Sequence, residues 1–159
     1  MSTTPWPPPH AEPLDVQAIY GRLTEFGLVY GPAFQGLQKA WRRGEELFAE
    51  VTLDDHHTGD YRLHPALLDA CLHALVGTTQ TGAVLPFAAS GIVLSSGAVA
   101  LRARFTPTNG DGVSLAVVDA DGTPVLSAAS LVLRPPAREA GDALFGVEWV
   151  GVKSARGGV

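Results

Sequence analysis

The chain has 159 residues, 46% of them hydrophobic and 17% charged, with a formal net charge of −5; this suffices for one domain with a real core and is short for two. No basic stripe is available to neutralise phosphates, which argues against nucleic acid as a partner. The one cysteine, Cys71, excludes an intrachain disulfide and a Cys-based zinc site, and no apolar run reaches the ~18 residues of a bilayer span, so a cytoplasmic protein without membrane contact is expected.

Residues 1 to 13 hold Pro5, Pro7, Pro8, Pro9 and Pro13 among few apolar residues, a composition that predicts an extended linker with no packed structure. From Asp15 onward, Val16, Ile19, Tyr20, Leu23 and Phe26 recur at helical spacing. Asp15 is placed to cap the first turn and Gly27 to stop the helix, which gives a helix over 15–26. In the following VYGPAFQG, Gly31 and Pro32 oppose regular structure and Phe34 offers an apolar anchor, so a shaped loop is expected.

Two strands come next, LQKAWRR and LFAEVTL, joined at Gly44 and Glu45. In the second, Leu47, Ala49, Val51 and Leu53 alternate with Phe48, Glu50 and Thr52, as in a hairpin arm. The polar DDHHTGD, residues 54 to 60, leads into LHPALLDACLHAL, a helix of about 13 residues with Pro65 in its first turn and Gly77 at its end. Four apolar runs at 86–95, 98–107, 112–119 and 124–134, broken by SSG, TNGDG and DADG, predict an antiparallel meander. The simplest architecture is α+β, an antiparallel sheet packed on one buried helix over residues 14–135. Residues 136–159, with the lone strand-like ALFGVEWV and the tail KSARGGV, read as a linker and the start of a following region.

Asp69 stands out because it places a carboxylate in the middle of a helix that is apolar almost all round. An ionised group taken out of water without partners loses several kcal/mol of hydration, a large part of a domain's net stability. His73, one turn on and about 40° round the helix, shares its face with Ala66 and Val76 as neighbours. If that face looks into a cavity, desolvation would push the carboxyl's pKa up and a hydrogen bond from His73 would orient it, which suits a general acid near neutral pH. The alternatives are a satisfied buried pair with no chemistry, or an Asp69 side chain bonded to a nearby backbone N–H.

Other candidates are weaker. His56 and His57 with Asp54, Asp55 and Asp60 lack the helical spacing of a metal site and read as a solvated loop, so no metal is assigned. The sequence has no nucleophile elbow, phosphate loop or dinucleotide fingerprint. Tyr30 reads either as a packed aromatic or as a phenol available for chemistry.

YGPAFQG at 30–36, LHPALLDACLHAL at 63–75 and LPF at 85–87, in this order, resemble the C-terminal half of a modular (type I) polyketide synthase dehydratase domain. The resemblance covers about residues 5 to 135. It implies a single hotdog fold, a curved antiparallel sheet wrapped round a long helix, which is half of a double hotdog. It further implies that Asp69 protonates the departing β-hydroxyl, that His73 holds the carboxyl, and that Tyr30 bonds near the leaving oxygen. Gly31, Pro32, Phe34, Leu85 and Pro86 would shape the substrate tunnel.

The family's second motif, His-x-x-x-Gly-x-x-x-x-Pro, supplies the base from the N-terminal hotdog, and His10, His56, His57 and His64 do not sit in it. The implied partners are that N-terminal half and an acyl carrier protein, whose phosphopantetheine carries the substrate, with no directly bound cofactor. ALFGVEWV resembles the start of the ketoreductase structural region of such synthases. Two alternatives stay open: a catalytically incomplete structural, dimerising or acyl-binding hotdog, and a cyclase-type relative that forms a pyran; a second copy of the chain, in a homodimer, is a further candidate partner.

Overall fold

The computed structural model describes residues 5–27, 35–52, 65–78, 85–95, 100–110 and 112–134. Its elements, in chain order, are β1 (Glu12–Leu14), α1 (Val16–Glu25), β2 (Leu37–Arg43), β3 (Glu46–Thr52), α2 (Pro65–Gly77), β4 (Leu85–Ser90), β5 (Val93–Leu94), β6 (Ala100–Pro107), β7 (Gly112–Asp119) and β8 (Pro124–Arg134). One antiparallel sheet runs in the order β1-β2-β3-β6-β7-β8-β4, with β5 also paired to β8. This is the expected α+β arrangement.

Local chemistry explains the element ends. The Asp15 carboxylate accepts from the N–H groups of Gln17 and Ala18, satisfying two of the orphan donors at the start of α1. At the far end of α2 the Thr78 hydroxyl donates to the Ala74 carbonyl at 2.7 Å, taking up one of its unpaired acceptors.

The core lies between α2 and one face of the sheet. Leu67, Ala70, Cys71, Ala74 and Leu75 of α2 meet Ala40, Leu47, Ala49, Val51, Leu101, Ala103 and Phe105, with Ile19 and Leu23 of α1 closing one side. Each large aliphatic side chain buried in this way contributes about 1.5–3 kcal/mol. Cys71 is part of this packing, and burial pushes its thiol up to about 12, so it behaves as the small hydrophobe its setting suggested.

Two expectations are corrected. The first of the four late runs does not neighbour the second: β4 pairs with β8 at the sheet's outer edge, while β3 offers its free edge to β6. Apolar alternation marks strands but not their partners, which depend on the edges left open. That same first run is split at Gly91, whose φ is +62° and where a Cβ would lie 2.6 Å from that of Ala129.

The proline-rich lead-in also packs. β1 joins β2, with Leu14 opposite Ala40. Trp6 sets its ring edge-on against Trp41 and Phe48, with centroids 6.2 and 5.7 Å away. Because strand side chains alternate between faces, Trp41 and Phe48 point away from α2. The sheet therefore has a second apolar layer, and the lead-in covers it.

Candidate active site

α2 carries the site because its 3.6-residue period puts positions 69 and 73 one above the other. His73 Nε2 lies 3.0 Å from Asp69 Oδ2. The histidine side chain is 1% exposed and the aspartate 46%, so the pair runs from the core to the surface of the chain. The desolvated carboxyl expected at this position is thus corrected: its side of α2, flanked by the partly buried Leu68 and Leu72, is only partly covered.

A buried imidazole with an unpaired nitrogen would cost about 1–3 kcal/mol. The second ring nitrogen, Nδ1, lies 3.3 Å from the hydroxyl of Tyr20, which also accepts the backbone N–H of Leu37 at 3.1 Å. The two rings meet edge to face with centroids 5.5 Å apart. α1, the entry to β2 and α2 are joined at this point.

The backbone is close-fitting beside it. A Cβ on Gly36, the last residue of YGPAFQG, would stand 2.9 Å from the Thr52 carbonyl and 3.0 Å from the Cβ of Ala70, the neighbour of Asp69. Only glycine lets the loop end, β3 and α2 approach so closely.

Of the predicted site residues, Asp69 and His73 are brought together. Leu85 and Pro86 lie on β4, paired with Arg134 and Leu133. Tyr30, Gly31, Pro32 and Phe34 lie outside the described residues, as do His56, His57 and His64. Tyr20 is the participant that sequence reasoning missed, since its helical spacing marked it only as a core position. Among the described residues no cluster of three or more His, Cys, Asp or Glu could hold a metal ion, and no helix is long and apolar enough to cross a membrane.

A cavity of about 670 Å³ lies on the opposite face of the sheet, between Trp6, Phe48, Arg43, Arg102, Arg104 and Val118. None of the predicted site residues lines it.

A family model described as the polyketide synthase dehydratase N-terminal domain matches residues 1–143. The chain belongs to the polyketide synthase dehydratase family. That description names the N-terminal domain and so does not carry the expected C-terminal half. Among curated relatives, the spectinabilin polyketide synthase system protein NorA' of Streptomyces orinoci is 46% identical over 94% of this chain. Polyketide synthase GfsE of Streptomyces halstedii is 47% identical over 91% of this chain. The chain spans 4% of the length of each.

A dehydratase structure from the borrelidin and fluvirucin polyketide synthases superposes with a TM-score of 0.75 at 46% identity, covering 83% of this chain and 50% of that one. The dehydratase domain of the terminal module of the rifamycin polyketide synthase gives a TM-score of 0.73 at 40% identity, covering 82% and 49%. The dehydratase fold of this chain is the hotdog, with the antiparallel sheet wrapped round α2.

Proposed function

We propose that this chain is the C-terminal hotdog of a polyketide synthase dehydratase and supplies the acid for loss of water from a β-hydroxyacyl thioester held on the phosphopantetheine of an acyl carrier protein. The observation that carries this reading is the Asp69–His73 pair, a half-exposed carboxyl held from behind by a buried imidazole. With Oδ2 engaged by His73, Oδ1 is left to carry the proton. A base takes the α-proton, the C–H electrons form the double bond, the Cβ–O bond breaks, and Asp69 gives its proton to the departing hydroxyl, releasing water and an α,β-unsaturated thioester. No metal or redox step enters this balance.

The base comes from the N-terminal hotdog. In this sequence His73 is followed by Gly77, but Gly82 stands where the family's base motif has proline, and the ring of His73 is already engaged at both nitrogens. Tyr30 of the YGPAF motif would bond near the leaving oxygen, while Gly31, Pro32, Phe34, Leu85 and Pro86 would line the acyl tunnel. The order of YGPAF before Asp-x-x-x-His supports the C-terminal assignment. This chain covers 50% and 49% of the two solved relatives, which leaves room for the other half.

The test is mass spectrometry of a β-hydroxyacyl-pantetheine thioester incubated with this chain, with the N-terminal hotdog, and with both. Water loss only in the mixture supports the reading. Asp69→Asn in the mixture should lower turnover by about 100-fold or more, and near-normal turnover of that variant would reject Asp69 as the acid. Water loss by this chain alone would reject the missing base.

A cyclase-type reading has one specific support. A bifunctional dehydratase-cyclase domain from ambruticin biosynthesis matches this chain with a TM-score of 0.71 at 40% identity. Under that reading a substrate with a distal hydroxyl would yield a cyclic ether after dehydration, seen as a product of unchanged mass relative to the alkene but different retention.

A further inference from the structure

We propose that Tyr20 is a positioning residue that fixes the tautomer of His73 and, through it, the direction of the Asp69 carboxyl. The proposal rests on the dehydratase reading for its consequence in turnover, but its structural content can be tested without activity.

With the acid's proton on Oδ1, Asp69 Oδ2 can only accept, so its 3.0 Å contact with His73 Nε2 requires the hydrogen on Nε2. In a neutral imidazole Nδ1 is then an acceptor. Tyr20, 3.3 Å from Nδ1, can fill that acceptor with its O–H while its oxygen accepts the Leu37 N–H 3.1 Å away. Three hydrogen bonds thus run in one direction, from the Leu37 backbone through Tyr20 and His73 to Asp69.

With the other tautomer a lone pair on Nε2 would face a lone pair on Oδ2, and the carboxyl would lose its support. Two features give Tyr20 leverage over this choice. His73 is 1% exposed, so bulk water does not readily replace a lost partner at Nδ1. The edge-to-face contact of the two rings, 75° between planes, holds the hydroxyl at the ring edge where Nδ1 sits. The oxygen of Tyr20 never needs to touch substrate to act in this way.

The test uses the complete dehydratase formed by this chain and its N-terminal half, with only this chain labelled by ¹⁵N-histidine. His73 is assigned as the signal that His73→Gln removes. The wild type should show a protonated Nε2 and an Nδ1 shift typical of a hydrogen-bonded acceptor. Tyr20→Phe, which keeps the ring and removes the hydroxyl, should move the Nδ1 signal. It should also lower kcat about tenfold with KM changed less than about twofold. In the His73→Gln background, where no imidazole tautomer exists to be fixed, Tyr20→Phe should cost less than the factor it costs in the wild type, and an equal cost in both would show that Tyr20 acts independently of His73.

An Nδ1-protonated ring in the wild type overturns the proposal, and that result does not depend on how Tyr20→Phe folds. An unmoved Nδ1 signal with unchanged kcat in Tyr20→Phe overturns it too. Asp69→Asn run alongside separates the two readings: if it retains turnover the acid assignment fails, while the tautomer still reports on Tyr20.

Discussion

The two faces of the sheet are closed by different means. The inner face is packed by α2, a single helix whose small and aliphatic residues repeat at a regular period, and among the described residues its only buried polar side chain is His73. The outer face is closed by Trp6, Trp41 and Phe48, with the guanidinium groups of Arg43 and Arg104 lying 5.5 and 5.8 Å from the Phe48 ring centroid and that of Arg102 5.7 Å from the Trp6 ring. The difference teaches that burial in this hotdog is two-sided. One side is an aliphatic core that carries the Asp69–His73 pair, and the other is an aromatic and cationic layer tied down by the chain's own lead-in.

Deleting a fully buried side chain from each side has the largest expected effect. Leu67 on α2 is 1% exposed and Phe48 on the outer face is 2% exposed. If the outer layer is a true core, Phe48→Ala should destabilise the chain by about 3–5 kcal/mol, at least as much as Leu67→Ala at about 2–5 kcal/mol. Denaturant midpoints at equal slope would check it. A loss under about 1 kcal/mol for Phe48→Ala would reduce the outer layer to a surface patch.

A smaller effect is expected at the inner face, where the backbone of Gly36 meets α2. Gly36→Ala places a methyl 2.9 Å from the Thr52 carbonyl, which is backbone and cannot swing aside, and 3.0 Å from the Cβ of Ala70. Forcing α2 outward should cost about 1–3 kcal/mol. Because Ala70 adjoins Asp69, the shift should also move the ring signal of His73 in ¹⁵N spectra, and a stable variant with an unmoved ring would show that the close approach serves no purpose at the site.

How much of this was legible in the sequence depends on whether the cause was local. Asp15, Gly44 and Pro65 act within a few residues of themselves, and α1, β2, β3 and α2 begin or turn where those residues predict. The pairing of β4 with β8 was not legible, because alternation gives every strand the same sign of fitness for several edges. Nor was the packing of Trp6, since a run of prolines gives no periodicity and its burial depends on Trp41 and Phe48 far along the chain.

The site divides in the same way. Asp69 and His73 are four residues apart on one helix, so their contact could be read directly from spacing. Tyr20 reaches His73 across 53 residues and Leu37 across 17, and no pattern along the chain signals that meeting. The half-exposure of Asp69 was missed for a related reason: helical periodicity tells which residues share a face, and says nothing of what lies opposite it.

The smallest expected effect lies on the outer face and depends on pH. Partial burial by itself would raise the pKa of Glu46, but hydrogen bonds and charge from Arg43, 3.0 Å away, and from Arg104 outweigh it together and hold the carboxyl below its ordinary 4.5. A carboxyl whose pKa is depressed by folding binds its proton more readily in the unfolded chain. Its contribution to stability is therefore fully present above 4.5 and is lost as the pH falls through the lower value of the folded state. At neutral pH Glu46→Gln should cost less than about 1 kcal/mol, because both arginines are substantially exposed and water screens them. Melting curves of wild type and Glu46→Gln should differ by a constant amount from pH 7 down to the ordinary carboxylate range and then converge as the pH drops further. A difference that persists unchanged in acid would mean that Glu46 acts through the packing of its stem against the arginine layer, and the outer face would then be held by shape alone.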